Sequence, residues 1–170
     1  MANSRIVLND KEAVGEWVAW QVGRSVPWSS FYAMGVETDG DLTSGLVFTN
    51  FNGSNVTVHI AAVKATRQFS TLMDYGHFYV FELCKLRRIT ALINGDNERA
   101  LAVNSHLGFV QEGLMKQAGP NGQDVVNLVL WPENYRKGNG RKMKDNSVYT
   151  SACVEAKRDE GNKDRSKQNG

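Results

Sequence analysis

The run Arg88-Ile89-Thr90-Ala91-Leu92-Ile93, continued by Asp96-Asn97-Glu98-Arg99-Ala100-Leu101-Ala102-Val103-Asn104-Ser105-His106-Leu107-Gly108-Phe109-Val110-Gln111-Glu112-Gly113, contains three elements. Arg88–Ile93 is short and apolar, as a buried strand is. Asp96 or Asn97 can cap a helix whose inner residues are Ala100, Leu101, Val103 and Leu107. Gly108 stands where a left-handed C-terminal cap belongs, and a new strand starts near Phe109. A strand, a capped helix and a second strand in this order predict a crossover unit of an α/β fold.

Working backwards, Thr66 can cap a helix over Arg67–Cys84, with Phe69, Leu72, Met73, Val80 and Leu83 at helical spacing. Before it the period is two. Phe31–Glu37, Leu42–Asn50 and Asn55–Val63 are rich in β-branched and aromatic residues, separated by Asp39-Gly40-Asp41 and Asn52-Gly53-Ser54. Both separators are hairpin signals, because Gly and Asn tolerate positive φ, so a three-stranded antiparallel meander is predicted. In its third strand Val56, Val58 and Ile60 share one face, while Thr57, His59 and Ala61 share the other. A first helix begins at Asn9 or Asp10, carries Ala13, Val14, Trp17, Val18 and Trp20, and ends before Gly23 and Pro27. Working forwards, strands near Phe109–Gln117 and Asp124–Trp131 flank the turn Pro120-Asn121-Gly122. The whole reads as a mixed α/β sheet, with two helices crossing over between neighbouring strands.

The chain has 170 residues, 41% of them hydrophobic, which suffices for one core. Residues 136–170 carry ten Lys/Arg against five Asp/Glu, so the net charge of +2 conceals −3 in the first 135 residues. Only seven of those last 35 residues are apolar, too few to offset the entropy of ordering them. The expected organisation is one domain over 1–136 and a hydrophilic, disordered tail over 137–170. Arg136–Lys144 is locally one-signed and admits nucleic-acid binding, but the rest of the tail interleaves both charges, as a solubilising segment does. Apolar-rich stretches such as Val56–Ile60 are only a handful of residues long, far short of a membrane span, and Met1–Asp10 lacks an apolar targeting core. A cytoplasmic protein is expected. Cys84 and Cys153 have no Cys or His neighbours, and no His pair has ligand spacing, so reduced thiols and no metal are expected.

The run Asn97–Gly113 resembles the end of a GNAT (Gcn5-related N-acetyltransferase) domain. It is similar to the branch that acetylates ribosomal-protein N-termini: Asn, two variable residues, Ala or Ser, a short helix, Leu-Gly-Phe, then Glu-Gly. Arg88-Ile89-Thr90-Ala91 and Gly122-Gln123-Asp124 fit as well, and the resemblance spans roughly residues 5–135. Small GNAT-like proteins encoded by bacteriophages are similar in particular, and for one of those the compartment would be the host cytoplasm. The resemblance implies acetyl-CoA as cosubstrate, lying in a V-shaped gap between the strand ending near Val63 and the strand Arg88–Ile93. Its pantetheine would pair with the backbone around Val58 and Ile60. Its pyrophosphate would sit at the helix start formed by Arg67, Gln68, Phe69, Ser70 and Thr71, where free amides and the helix dipole favour anions. Asn97 would hydrogen-bond the pantetheine arm. The acceptor would be a primary amine, on a protein N-terminus or a small molecule, and a homodimer is one option.

Two positions depart from the family pattern. Lys64-Ala65-Thr66-Arg67-Gln68-Phe69-Ser70-Thr71 has no glycine where the family's phosphate loop has one or two, leaving side-chain donors such as Lys64 and Arg67 to compensate. Asn104 occupies the place of a Tyr that protonates the departing thiolate in many members, and an amide cannot do so. For the amine's proton, His59 is the one titratable side chain between Phe51 and Val63, and its ordinary pKa near 6.5 suits a general base. A strand histidine bonded to a neighbour is the plainer alternative. His77 is expected to be exposed within its helix, and His106 to sit favourably at a helix C-terminus. Glu112 fits either the substrate groove or a cross-strand ion pair. Trp17 reads as core, whereas Trp28 beside Pro27 could line a groove. Two other functions stay open at this stage: a catalytically degenerate GNAT-fold protein, phage-encoded, binding a host or virion partner, and nucleic-acid binding through the tail.

Overall fold

The computed structural model describes residues 2–63 and 66–135. The tail proposed for 137–170, the basic run Arg136–Lys144, Cys153 and Lys64 lie outside the described residues. Within them, seven strands form a single sheet in the order β1-β2-β3-β4-β5-β7-β6. The strands are β1 (Ser4–Val7), β2 (Phe31–Thr38), β3 (Asp41–Thr49), β4 (Asn55–Ala62), β5 (Arg88–Asn94), β6 (Val110–Met115) and β7 (Val125–Leu130). The helices are α1 (Lys11–Gln21), α2 (Arg67–His77) and α3 (Glu98–Leu107).

Local chemistry fixes most of these boundaries. The side chains of Asp10, Thr66 and Asn97 accept from the backbone N–H groups of Ala13, Phe69 and Ala100, capping α1, α2 and α3. Gly108 ends α3 at φ 103°, and a β-carbon there would lie 1.9 Å from the Asn134 carbonyl oxygen, so both torsion and space require glycine. The β2–β3 turn has positive φ at Asp39 and Gly40, as a two-residue hairpin of matching twist needs. Asn52 Oδ1 accepts from the N–H groups of Ser54 and Asn55 and folds the next turn.

Four features differ from the sequence reading. β1 is unannounced in the sequence: it is only four residues long, and its pairing with β2, Ser4 opposite Thr38 to Val7 opposite Gly35, is a long-range contact with no local signature. The helix after Thr66 is α-helical only to His77 and continues as a π-helical turn over Phe78–Leu83, with Cys84 N–H donating to the Tyr79 carbonyl. That wider turn buries three consecutive residues, Tyr79, Val80 and Phe81, which one stripe of an α-helix does not do. The second crossover does not join neighbours. α3 leads from β5 to β6, and β7 lies between them, since five of its six residues are buried while β6 is mostly exposed and takes the edge. Finally, Trp20 is not part of the apolar face of α1: it is 77% exposed.

The two sheet faces are covered unequally. α1 packs on β2, β3 and β4, with Val14 and Val18 against Ala33, Val47 and Ala61. Gly45 permits this close approach, since a β-carbon there would meet Val18 at 2.6 Å. The other face carries the larger core: Met34, Leu46, Phe48, Val56 and Val58 under α2 and the π turn, continuous with Ile89, Phe109 and Leu130.

Candidate functional site

β4 and β5 run parallel and pair only at Asn55, Val56 and Thr57 opposite Arg88, Ile89 and Thr90. The Thr90 hydroxyl donates to Asn55 Oδ1 at 2.7 Å and closes that end. Beyond Thr57 the strands part, so the edge of β4 from Val58 to Ala62 that faces β5 has no strand to pair with among the described residues, while its other edge stays laddered to β3. Unsatisfied strand backbone is a binding surface for an extended, amide-bearing ligand.

The gap opens into a cleft of about 750 Å³. That volume lies within the range that holds cofactor-sized ligands. It passes through the sheet and so has two mouths. On the side of α2 and α3 it meets Val58, Ile60, Phe69, Val103 and Asn104; on the side of α1 it meets Arg24, Trp28, His59 and Leu92. Leu92 is 51% exposed although central in a strand, because α1 does not reach across the gap to cover β5. A separate cavity of about 30 Å³ between Gly76, His77 and Tyr135 is near the size of one water and is too small for a substrate.

Of the residues nominated from sequence, Val58, His59, Ile60, Phe69, Asn97 and Asn104 line this one cleft. Arg67, Gln68, Ser70 and Thr71 do not line it, although they form the first turn of the helix beside it. In that turn Phe69 N–H is taken by the Thr66 cap, and the Thr71 hydroxyl donates to the Arg67 carbonyl, which narrows the free donors to the leading amides of α2 and the side chains. Asn97 Oδ1 accepts from Ala100 N–H, leaving its NH₂ group for a ligand.

Asn104 is 4% exposed. Its NH₂ donates to the Ala100 carbonyl at 2.9 Å, and its Oδ1 has no protein donor among the described residues. A buried acceptor left in this state costs about 1–3 kcal/mol, so a cleft that carries one is suited to a ligand bringing an N–H or S–H.

His59 is mostly buried. Its Nε2 lies 3.2 Å from the Thr49 hydroxyl and its ring centroid 4.6 Å from that of Trp28. Burial, and then the charge of Arg24, push its pKa down to about 4. The ordinary value assumed from sequence is therefore corrected: His59 is neutral throughout the physiological range and a weak base. Trp28 is itself fixed, its indole N–H donating to the Gly15 carbonyl at 2.8 Å, and Arg24 lies over it with the guanidinium carbon 4.3 Å from the ring centroid.

Other nominated residues find structural roles. Glu112 forms a two-pronged ion pair with Arg88, at 2.8 and 2.6 Å, reaching over β7 rather than into the cleft. His77 is half-buried, not exposed, stacked on Tyr135 at 3.9 Å, whose hydroxyl donates to Asp74. Burial and the Asp74 carboxylate hold that phenol far above its ordinary pKa. His106 is in the last turn of α3, and Trp17 packs against the α1-side core. Among the described residues no three His, Cys, Asp or Glu side chains group as a metal site would, and no helix is long and apolar enough to cross a membrane.

Sequence reading missed Arg24, Leu92, Asn94 and Arg99 as cleft residues. Leu92 alone gave a signal, an apolar residue on the opposite face of its strand from Ala91 and Ile93.

Among solved structures, the chain is similar to the spermidine/spermine N-acetyltransferase SpeG from Vibrio cholerae, with 17% identity over 79% of this chain and 97% of that one and a TM-score of 0.59. A dodecameric spermidine N-acetyltransferase from the same organism gives 15% identity, 78% and 94% coverage and a TM-score of 0.60. A structure described as a probable acetyltransferase gives 16%, 79%, 94% and 0.60. No protein-family model matches the chain, and neither does any curated protein sequence. At these identities the likeness is one of fold: the chain has the GNAT acyl-CoA N-acyltransferase fold, a mostly antiparallel sheet with splayed central strands and flanking helices.

Proposed function

We propose that the protein is an N-acetyltransferase that moves the acetyl group of acetyl-CoA directly to a primary amine, on a protein N-terminus or a small molecule. The observation that carries this reading is the gap itself, in which the unpaired edge of β4, the amide of Asn97 and the orphaned Oδ1 of Asn104 face one space. Val58 and Ile60 would hold the pantetheine arm by their backbone, with Asn97 donating to it and Asn104 accepting from it. The first turn of α2, with the Arg67, Gln68, Ser70 and Thr71 side chains and the amide dipoles, would hold the pyrophosphate. Similarity of fold to N-acetyltransferases supports the choice of reaction.

In this reaction the amine nitrogen bonds to the thioester carbonyl carbon, the carbon–sulfur bond breaks, and CoA leaves as a thiolate. The amine loses one proton and the thiolate gains one. A backbone N–H of β4 can polarise the carbonyl, which is where negative charge develops. Neutral His59 accepts a hydrogen bond from the incoming amine and aims its lone pair, and the proton leaves to solvent, because a group with a pKa near 4 does not hold it. The thiolate takes its proton from solvent, because Asn104, an amide whose open Oδ1 is an acceptor, does not supply one.

Isothermal titration with acetyl-CoA, compared with CoA and desulfo-CoA, tests the reading. Micromolar affinity is expected, with weaker binding of desulfo-CoA. No heat at millimolar ligand, together with no thermal shift, would overturn it. The alternative is a protein of the same fold that binds a partner and catalyses nothing. It is favoured by the first turn of α2, which lacks glycine and has one amide already capped by Thr66, and the same null titration would support it.

A further inference from the structure

We infer that the amine accepted by this cleft carries a carboxylate, which the Arg24 guanidinium binds at the α1 mouth. The inference rests on the acetyl-transfer reading above and adds the chemical class of its acceptor.

The charged side chains lining the cleft are Arg24 and Arg99; among the described residues no Asp or Glu does so. Arg99 belongs to the first turn of α3, on the face where the phosphate-bearing ligand is placed. Arg24 stands at the other mouth, in the loop after α1, with no carboxylate paired to it among the described residues. The four acidic residues that do form ion pairs, Glu37, Glu82, Glu112 and Asp124, are outside the cleft lining. Glu12 and Glu16 of α1 are exposed and also outside it.

A polycationic amine binds where carboxylates replace the water around its ammonium groups. Here it would meet a guanidinium and a neutral imidazole, so each extra positive charge would be repelled and left without a partner. An acceptor with a carboxylate meets the opposite situation. The guanidinium carbon lies 4.3 Å from the Trp28 ring centroid, and Trp28 in turn meets His59 in a tilted ring contact at 4.6 Å. The contact with the ring holds the cation in place while no carboxylate among the described residues takes up its N–H fork, which can grip a carboxylate with two parallel bonds. The Trp28 N–H bond to the Gly15 carbonyl holds the platform, so little order is lost on binding. An amine placed at His59 and a carboxylate placed at Arg24 are separated by one indole ring, a reach that a dipeptide or an acidic second residue of a peptide N-terminus covers. The relatives of like fold are described as acting on spermidine and spermine, so the inference separates this chain from them in acceptor class.

The test is acetyl transfer, followed as CoA thiol release, with paired acceptors. Glycylglycine is compared with its amide, and a tripeptide amide with Glu second is compared with the same peptide carrying Gln. Spermidine is the polycation. We expect each carboxylate acceptor to exceed its isosteric amide by about 10- to 100-fold in kcat/KM, with most of the change in KM, the effect of one charge-assisted pair. In Arg24→Gln that ratio should fall to about one, and Arg24→Lys should restore part of it. Acetyl-CoA titration of each variant shows that the cleft is still formed. Equal use of acid and amide, a preference for spermidine, or a ratio that survives Arg24→Gln would overturn the inference while leaving the reaction intact. Acetyl-CoA binding with no transfer to any of the five also overturns it. Absence of both binding and transfer removes the acetyl-transfer reading, and this inference with it.

Discussion

The two mouths of the gap between β4 and β5 are built from the same pair of strands and have opposite chemistry. On the α2 and α3 side, alternate residues Val58 and Ile60 face an apolar core, with the orphaned acceptor of Asn104 set at its edge. On the α1 side the intervening His59 meets Trp28, Thr49 and Arg24, all drawn from segments distant in sequence. One strand of period two thus presents two surfaces at once: apolar walls and free backbone on one side, and a polar, positively charged rim on the other.

The largest way to break the comparison is to push α1 off the sheet. In Gly45→Val the new side chain meets Val18 at 2.6 Å and Val14 at 3.2 Å, inside a packed core. A loss of about 3 kcal/mol is expected by urea denaturation, with the Arg24–Trp28–His59 mouth disturbed and the Asn104 side retained.

A smaller effect separates the mouths by pH. The His59 pKa is near 6.5 in the unfolded chain and about 4 in the folded one. Above the first value the ring is neutral in both states; between the two, only the unfolded chain takes up the proton. Stability therefore falls as pH drops through this window, by about 2 kcal/mol from pH 7 to pH 5. His59→Gln should flatten that part of the stability–pH curve. The same downward shift predicts no activity limb near pH 6.5 in the wild type; finding one would show that the imidazole titrates freely.

The smallest effect sharpens the other mouth. Asn104→Leu removes a buried acceptor that has no donor among the described residues, at the cost of one bond to the Ala100 carbonyl. The free protein should gain roughly 1 kcal/mol in thermal unfolding, whereas acetyl-CoA should bind about 3- to 10-fold more weakly. Equal affinity would mean that no ligand donor reaches Oδ1.

Much of this architecture is legible residue by residue. The caps at Asp10, Thr66 and Asn97, the glycine at 108 and the turns at Asp39-Gly40 and Asn52-Gly53 are local devices, each satisfying a backbone group or a torsion within a few residues. The alternation along β4 likewise announced which residues share a face. Hidden from such reading were the edge strand β1, held only by β2, the insertion of β7 between β5 and β6, and the π turn before Cys84. In the candidate site the β4 edge and Asn97 were readable, but Arg24 and Leu92 were not. They reach the cleft only because two strands some thirty residues apart diverge after three paired residues.

The sequence by itself therefore determined most of the elements, their capped ends and the resemblance to a fold, because periodicity, capping and turn chemistry act over short spans of chain. The tertiary structure alone decided the order of the strands and the width of the gap. It also decided that a histidine of ordinary pKa becomes a neutral acceptor beneath Trp28 and Arg24. Desolvation and Coulomb fields depend on what surrounds a group in space, and that is fixed only when distant segments pack together.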